Sequence, residues 1–163
     1  MRIIGIDPGT ATTGFSILES VGGKSKLLDY GCILTPAGLP HTTRLNQIAQ
    51  DMTELLKKWK PKKASVEKLF FQKNVKTAMA VAEARGVILQ KLTEHGIHSH
   101  EFTPNEIKQS VCGHARADKK MVQEMVKMLL GLKTIPKPDD AADAIAASIC
   151  LANSLALENR IIA

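Results

Sequence analysis

Short, wholly apolar runs alternate along this chain with longer stretches in which apolar residues return every three or four positions. Arg2–Asp7, built on Ile3-Ile4-Gly5-Ile6, reads as a buried strand. Thr13–Glu19 and Lys26–Leu34 read as two more, joined by a Val21-Gly22-Gly23-Lys24 hairpin turn. Three antiparallel strands at the N-terminus follow. A helix capped by His41 or Thr42 is then predicted to run to about Trp59. Its apolar stripe is Leu45, Ile48, Ala49, Met52, Leu55, Leu56 and Trp59, and Pro61 ends it.

Ala64–Leu69 reads as a fourth strand, Val75–His95 as a helix rich in small residues, and Ile97–Phe102 as a fifth strand. Thr103-Pro104-Asn105-Glu106 is a helix start: Thr103 caps, Pro104 suits the first turn and Glu106 completes a capping box. That helix is short, ending near Cys112. After a Gly113–Ala117 loop, Asp118 caps a helix to about Leu130, and beyond Pro136-Lys137-Pro138 a last helix spans Asp139–Glu158. The order implies one α/β domain over residues 1–163: a five-stranded mixed sheet with helices on both faces. Its first three strands are antiparallel, the later ones parallel, and the first is central.

Composition narrows this little. At 163 residues, 44% of them hydrophobic, the chain can bury a substantial core. No apolar stretch is expected to reach the roughly 20 residues of a membrane span. The N-terminus passes straight into a strand, so the expected location is cytoplasmic. Cys32, Cys112 and Cys150 are odd in number and far apart, which disfavours a disulfide frame or a zinc site.

Charge changes the picture more. The net charge of +6 is uneven: residues 1–54 are net −1, residues 55–133 net +9 and residues 134–163 net −2. A positive field concentrated in one segment favours a polyanionic partner. Within this basic chain, acids recur at particular places. Asp7 ends the first strand before Pro8-Gly9, and Glu67 interrupts an apolar strand. Asp140 and Asp143 share one face at the start of the last helix. Asp139 beside them is explained by the helix N-terminus alone.

An ionised acid in an apolar strand is costly without a partner. Four carboxylates in one pocket would repel unless protonated or neutralised by divalent cations. Such oxygens suit Mg²⁺, and two ions roughly 3.5–4 Å apart are a recurrent device for phosphodiester cleavage.

The motifs carry a resemblance. They are Gly5-Ile6-Asp7-Pro8-Gly9-Thr10, Val66-Glu67-Lys68-Leu69-Phe70-Phe71 and Ala82-Glu83-Ala84-Arg85-Gly86, then Thr103–Lys108, Gly113–Lys119 and Pro138-Asp139-Asp140-Ala141-Ala142-Asp143-Ala144. In order and over the whole length they resemble the RuvC family of bacterial Holliday-junction resolvases, in the RNase H-like superfamily. The resemblance assigns Asp7, Glu67, Asp140 and Asp143 to a catalytic metal-binding tetrad. It implies Mg²⁺, two ions per site, with Mn²⁺ as a substitute. It also implies a homodimer that makes paired, symmetric nicks in opposed strands of a four-way DNA junction. RuvA and RuvB are the implied partners, recombination and repair the setting.

Other residues fit that reaction. Phe70 can stack on an unpaired base at the crossover. Lys108, Arg116, Lys119 and Lys120, with Lys73 and Lys76 on the other side, can hold phosphates. Val81, Ile88 and Leu92 on the small-residue helix share a face that can contact a second copy. His98 and His100 alternate on a strand face, without an acid or Cys to complete a metal set. Three rival readings start from the same residues. The Asp-x-Gly-Thr turn also occurs in sugar kinases and actin-like ATPases, but their second phosphate loop is missing. An RNase H-like nuclease for RNA–DNA hybrids, or a junction-binding scaffold, would share the fold.

Overall fold

The computed structural model describes residues 1–69 and 75–162. Three N-terminal strands, β1 (Arg2–Asp7), β2 (Thr12–Val21) and β3 (Lys24–Leu34), precede α1 (His41–Trp59) and β4 (Lys63–Glu67). Then come α2 (Val75–Glu94), β5 (His98–Phe102), α3 (Pro104–Cys112), α4 (Lys119–Leu129) and α5 (Asp139–Ile162). The sheet order is β3-β2-β1-β4-β5, with β1 central. β1–β2 and β2–β3 pair antiparallel, while β1–β4 and β4–β5 pair parallel, as the pattern predicted.

Local signals explain the element ends. Gly22 and Gly23 both have positive φ, 57° and 79°, which a tight hairpin turn needs. The α3 capping box forms, with Thr103 Oγ1 accepting from Glu106 N and the Glu106 carboxylate accepting from Thr103 N. Asp118 caps α4 by accepting from Met121 N. The start of α1 departs from expectation. Pro40, not His41 or Thr42, is its N-cap residue, and no side chain caps it. Proline's fixed φ sets the entry geometry instead. β4 ends at Glu67, two residues earlier than expected, so the carboxylate sits at the strand terminus rather than inside it.

Each face of the sheet has its own core. Ile4, Ile6, Ile17 and Val66 pack with Ile48, Met52 and Leu56 of α1 and with Ile88 and Leu92 of α2. On the other face Ile3 and Leu18 pack with α3, α4 and α5, the last contributing Ile145, Ala146, Ala147, Ile149 and Leu151. Two expectations fail here. Ile88 and Leu92 are fully buried in their own chain and are not free to contact a second copy. The period of an amphipathic helix is the same whichever surface it covers. The outward residues of α2 include Met79, Ala82, Glu83, Gly86 and Gln90. Secondly, Asp139–Glu158 is long and apolar enough to cross a membrane, with mean hydropathy 1.3. Its apolar side is spent on the sheet, since 61% of that window is buried within the molecule.

Candidate active site

The acids meet because two backbones approach closely. β1 places Asp7 at its C-terminal end, opposite Gly14 of β2. A Cβ on Gly14 would stand 2.0 Å from the carbonyl oxygen of Asp140, and one on Gly5 would stand 2.1 Å from that of Ala144. Only glycine lets α5 lie this near the sheet. Ser16 then donates to the Ala144 carbonyl at 2.9 Å and lies 3.1 Å from Ser148 Oγ, a buried polar latch between β2 and α5. The first turns of α5 are thereby pressed against the ends of β1 and β2. Neither glycine nor serine was singled out in the sequence, although a glycine inside a strand is a known sign of close backbone approach.

Asp7, Glu67 and Asp143 line one cleft of about 240 Å³ with Lys108, Lys119 and Pro104. Asp140, one turn earlier on α5, faces an adjoining cleft and acts electrostatically on both Asp7 and Asp143. The two parallel strands β1 and β4 thus supply one acid each from their C-terminal ends, and the α5 N-terminus supplies two. Open α/β sheets place ligand sites at this edge.

Their protonation reflects the crowding. Burial, and then the charges of Glu67, Asp143 and Asp140, push Asp7 up to about 8. Burial and Asp143 raise Glu67 to about 7, while Lys108 and Lys119 pull it down. Asp143 is also raised by burial, against the opposing pull of Lys119. Burial alone would lower Lys119, but Asp143 and Asp139 outweigh it and raise the ammonium above its ordinary value. Lys119 Nζ lies 3.2 Å from Asp143 and 3.4 Å from Asp139. A cation is therefore already drawn to this cleft by the acids.

The donor set fits a hard divalent cation. It consists of carboxylate oxygens, half to mostly buried, with more negative charge than Lys108 and Lys119 balance. Among the described residues, no three His, Cys, Asp or Glu side chains stand close enough together to hold a metal ion as they are placed, so the acids would have to draw in around one. An open arrangement of few protein ligands suits Mg²⁺, which keeps waters and takes substrate oxygens.

The other sequence candidates separate. Lys108 lines the acidic cleft, and Lys119 pairs with Asp139 and Asp143 inside it. Arg116 and Lys120 are exposed, and neither lines the cleft. Phe70 and Lys73 lie outside the described residues, as does the Lys76 side chain. His98 is exposed, and His100, 4.9 Å from it ring to ring, is partly buried with Nε2 unpartnered. The cysteines are free.

Comparison with known proteins agrees with this architecture. The family model described as crossover junction endodeoxyribonuclease RuvC matches residues 3–151. A protein of that name from Chloroflexus aurantiacus is 51% identical over 150 residues, 92% of each chain. The solved RuvC structure of Thermus thermophilus superposes with TM-score 0.89 at 32% identity, covering 97% of each chain. The T. thermophilus RuvC in complex with a Holliday junction substrate gives 0.88 at 29%, covering 96% of each. The fold is RNase H-like, as the motifs implied. Nucleases of this kind are metal-dependent. From a glycine-seated acidic cleft to whole-chain similarity, the observations have one conclusion: the chain belongs to the RuvC family of crossover junction endodeoxyribonucleases.

Proposed function

We propose that this protein resolves four-way DNA junctions by paired, symmetric, Mg²⁺-dependent nicks, with Asp7, Glu67, Asp140 and Asp143 as the metal-holding acids. The observation that carries the reading is the convergence of β1, β4 and α5 on one edge. There Asp7, Glu67 and Asp143 share a cleft with Lys108 and Lys119, and Asp140 faces the adjoining cleft. A pair of Mg²⁺ ions bound there supplies activation of a water and charge neutralisation at the leaving 3′ oxygen; Mn²⁺ serves as a substitute.

The chain's own residues prepare that chemistry. Asp7 and Glu67 are buried enough to hold protons near neutrality, so cation binding releases them. Lys119 screens Asp143 until substrate and cations arrive, and then its ammonium is free to meet a phosphate. Lys108 stands on α3, whose capping box fixes the helix start beside the cleft. Arg116 and Lys120 extend the positive rim, and Phe70, Lys73 and Lys76 act at the crossover.

Two opposed cuts need two copies, and a C₂ homodimer matches the symmetry of the junction. The outward face of α2, with Met79, Ala82 and Gly86 spaced for close approach, is its contact surface. RuvA and RuvB are the partners at the junction, in the cytoplasm. The deciding experiment is cleavage of an end-labelled mobile four-way junction with Mg²⁺ and with EDTA, beside linear duplex and RNA–DNA hybrid. Paired Mg²⁺-dependent nicks confined to the junction are expected. Cuts only in the hybrid, or binding without cuts, would reject the proposal.

A further inference from the structure

A second cleft, of about 450 Å³, adjoins the acidic one on the far side of Asp140. Gly9, Thr10 and Thr12 of the β1–β2 turn line it, with Arg44 of α1 and Val81 of α2. The sequence had given Arg44 no role. Its Nε donates to Thr35 Oγ1 at 2.8 Å, and its Nη2 donates to the Thr35 carbonyl at 3.4 Å. Thr35 Oγ1 in turn donates to the Thr10 carbonyl at 2.5 Å. The guanidinium is thus tethered through one edge to the turn that follows Asp7.

The tether leaves most of the fork unused. A guanidinium carries five N–H donors, and Thr35 takes two. No carboxylate among the described residues forms an ion pair with Arg44, although Asp140 lines the same cleft. Beneath it Thr10 is 7% exposed, and its Oγ1 has no hydrogen-bond partner among the described residues. A buried hydroxyl left unpaired costs about 1–3 kcal/mol, so such groups are rarely without a purpose. A half-occupied, rigidly held guanidinium lining an open cleft, with a buried unpaired hydroxyl on a residue of its wall, asks for an anion with several acceptor oxygens.

We infer that this second cleft binds a backbone phosphate of the strand being cut, next to the scissile one, with Arg44 as its principal ligand. The inference rests on the junction-cleaving reading. The placement suits it. Asp140 and Asp143 are three residues apart on α5, and each lines one of the two clefts. A strand whose scissile phosphate lies at the acids carries further phosphates to either side. Lys108 and Lys119 meet one, and Arg44 meets the other. Arg44 does so as a planar fork suited to two phosphate oxygens at once, which fixes strand direction as well as position. Asp140 repels a phosphate from the shared wall and so confines it to the Arg44 side.

The test uses the full-length protein and a four-way junction carrying single neutral methylphosphonates, placed one at a time around the cleavage point. Binding is measured in Ca²⁺ between 50 and 200 mM salt. One methylphosphonate beside the cut should weaken wild-type binding and have no further effect in Arg44→Ala. Loss of one phosphate contact lowers the salt slope by about 0.9. The affinity lost across that salt range then shrinks about threefold. Arg44→Lys, which keeps the charge and guards against a misfolded Ala variant, should retain the slope and most of the methylphosphonate penalty, with somewhat weaker binding because the two-pronged contact is lost. Thr35→Val, which removes the hydroxyl that orients Arg44 but keeps the charge, should retain the slope and lose part of the methylphosphonate penalty.

If methylphosphonate and Arg44→Ala effects add at every position, the inference fails while the function stands. The same holds if Thr35→Val reproduces Arg44→Ala, because Arg44 would then only hold the turn. A wild-type protein that neither binds nor cuts the junction overturns the function itself.

Discussion

The two faces of the central sheet are packed by opposite rules. Under α1 and α2 the contact is made by large aliphatic side chains: Ile4, Ile6, Ile17, Ile48, Met52, Ile88 and Leu92. At the α5 contact with β1 and β2 it is made by glycine, serine and alanine: Gly5, Gly14, Ser16, Ala141, Ala144 and Ser148. The first face holds its helices at side-chain distance. The second brings a helix backbone almost onto the strands, and this is what delivers Asp140 and Asp143 beside Asp7. Both faces bury aliphatic side chains, but where α5 begins the second gives up part of that burial and gathers like charges, both unfavourable, at the candidate site.

The largest expected effect removes the reason for that arrangement. Asp7→Asn should lower junction cleavage about 10³-fold or more, because metal-assisted charge stabilisation is worth several kcal/mol in the transition state. Junction binding should persist. The metal-free variant should also melt at a higher temperature than wild type, since a buried carboxylate repelled by three others has been neutralised. Cleavage at the wild-type rate would mean that the glycine-packed face serves some other purpose.

A smaller effect separates the faces by pH. The folded-state values of Asp7 and Glu67, about 8 and about 7, lie above their ordinary values because burial and neighbouring acids disfavour the charged forms. Between about pH 4 and 8 the folded chain therefore holds protons that the unfolded chain has released. Stability of the metal-free protein must fall as pH rises through this window, by about 1.4 kcal/mol per pH unit for each such proton. Melting in EDTA at pH 5, 6.5 and 8 should show the decline. Mg²⁺ should restore stability most at pH 8, where the carboxylates are ready to bind it. A flat or rising profile in EDTA would contradict the crowded-acid description.

How much of this the sequence revealed follows from the same contrast. The central place of β1, the parallel and antiparallel pairings and the α3 and α4 caps were legible, because periodicity and turn chemistry are local. The four acids were legible because each breaks an apolar or small-residue pattern. What was hidden depends on which surface an element meets. Ile88 and Leu92 have the spacing of an exposed seam, yet they face their own sheet. Gly14 looks like an ordinary strand residue until the Asp140 carbonyl is found against it. Arg44 was one cation in a helix of mixed charge, and its hold on Thr35 joins positions nine residues apart across an element boundary.

The smallest expected effects sharpen the comparison most. Gly14→Ala adds one methyl group where a Cβ would lie 2.0 Å from backbone of α5, so the helix must shift. Overpacking of this kind costs about 1–3 kcal/mol. Ile48→Val, on the aliphatic face, removes one methylene from a fully buried side chain and costs about 0.5–1.5 kcal/mol. The two stability losses are of similar order, but their consequences for cleavage should part. A displacement of even 1 Å at a reacting centre can cost about 10²-fold. Gly14→Ala should therefore impair cleavage by far more than its stability loss explains. Ile48→Val, assayed well below its melting temperature, should cut junctions at the wild-type rate. Single-turnover cleavage under conditions where both variants are fully folded makes the measurement. Equal rates in the two would show that the close approach of α5 stabilises the fold without setting the positions of the acids.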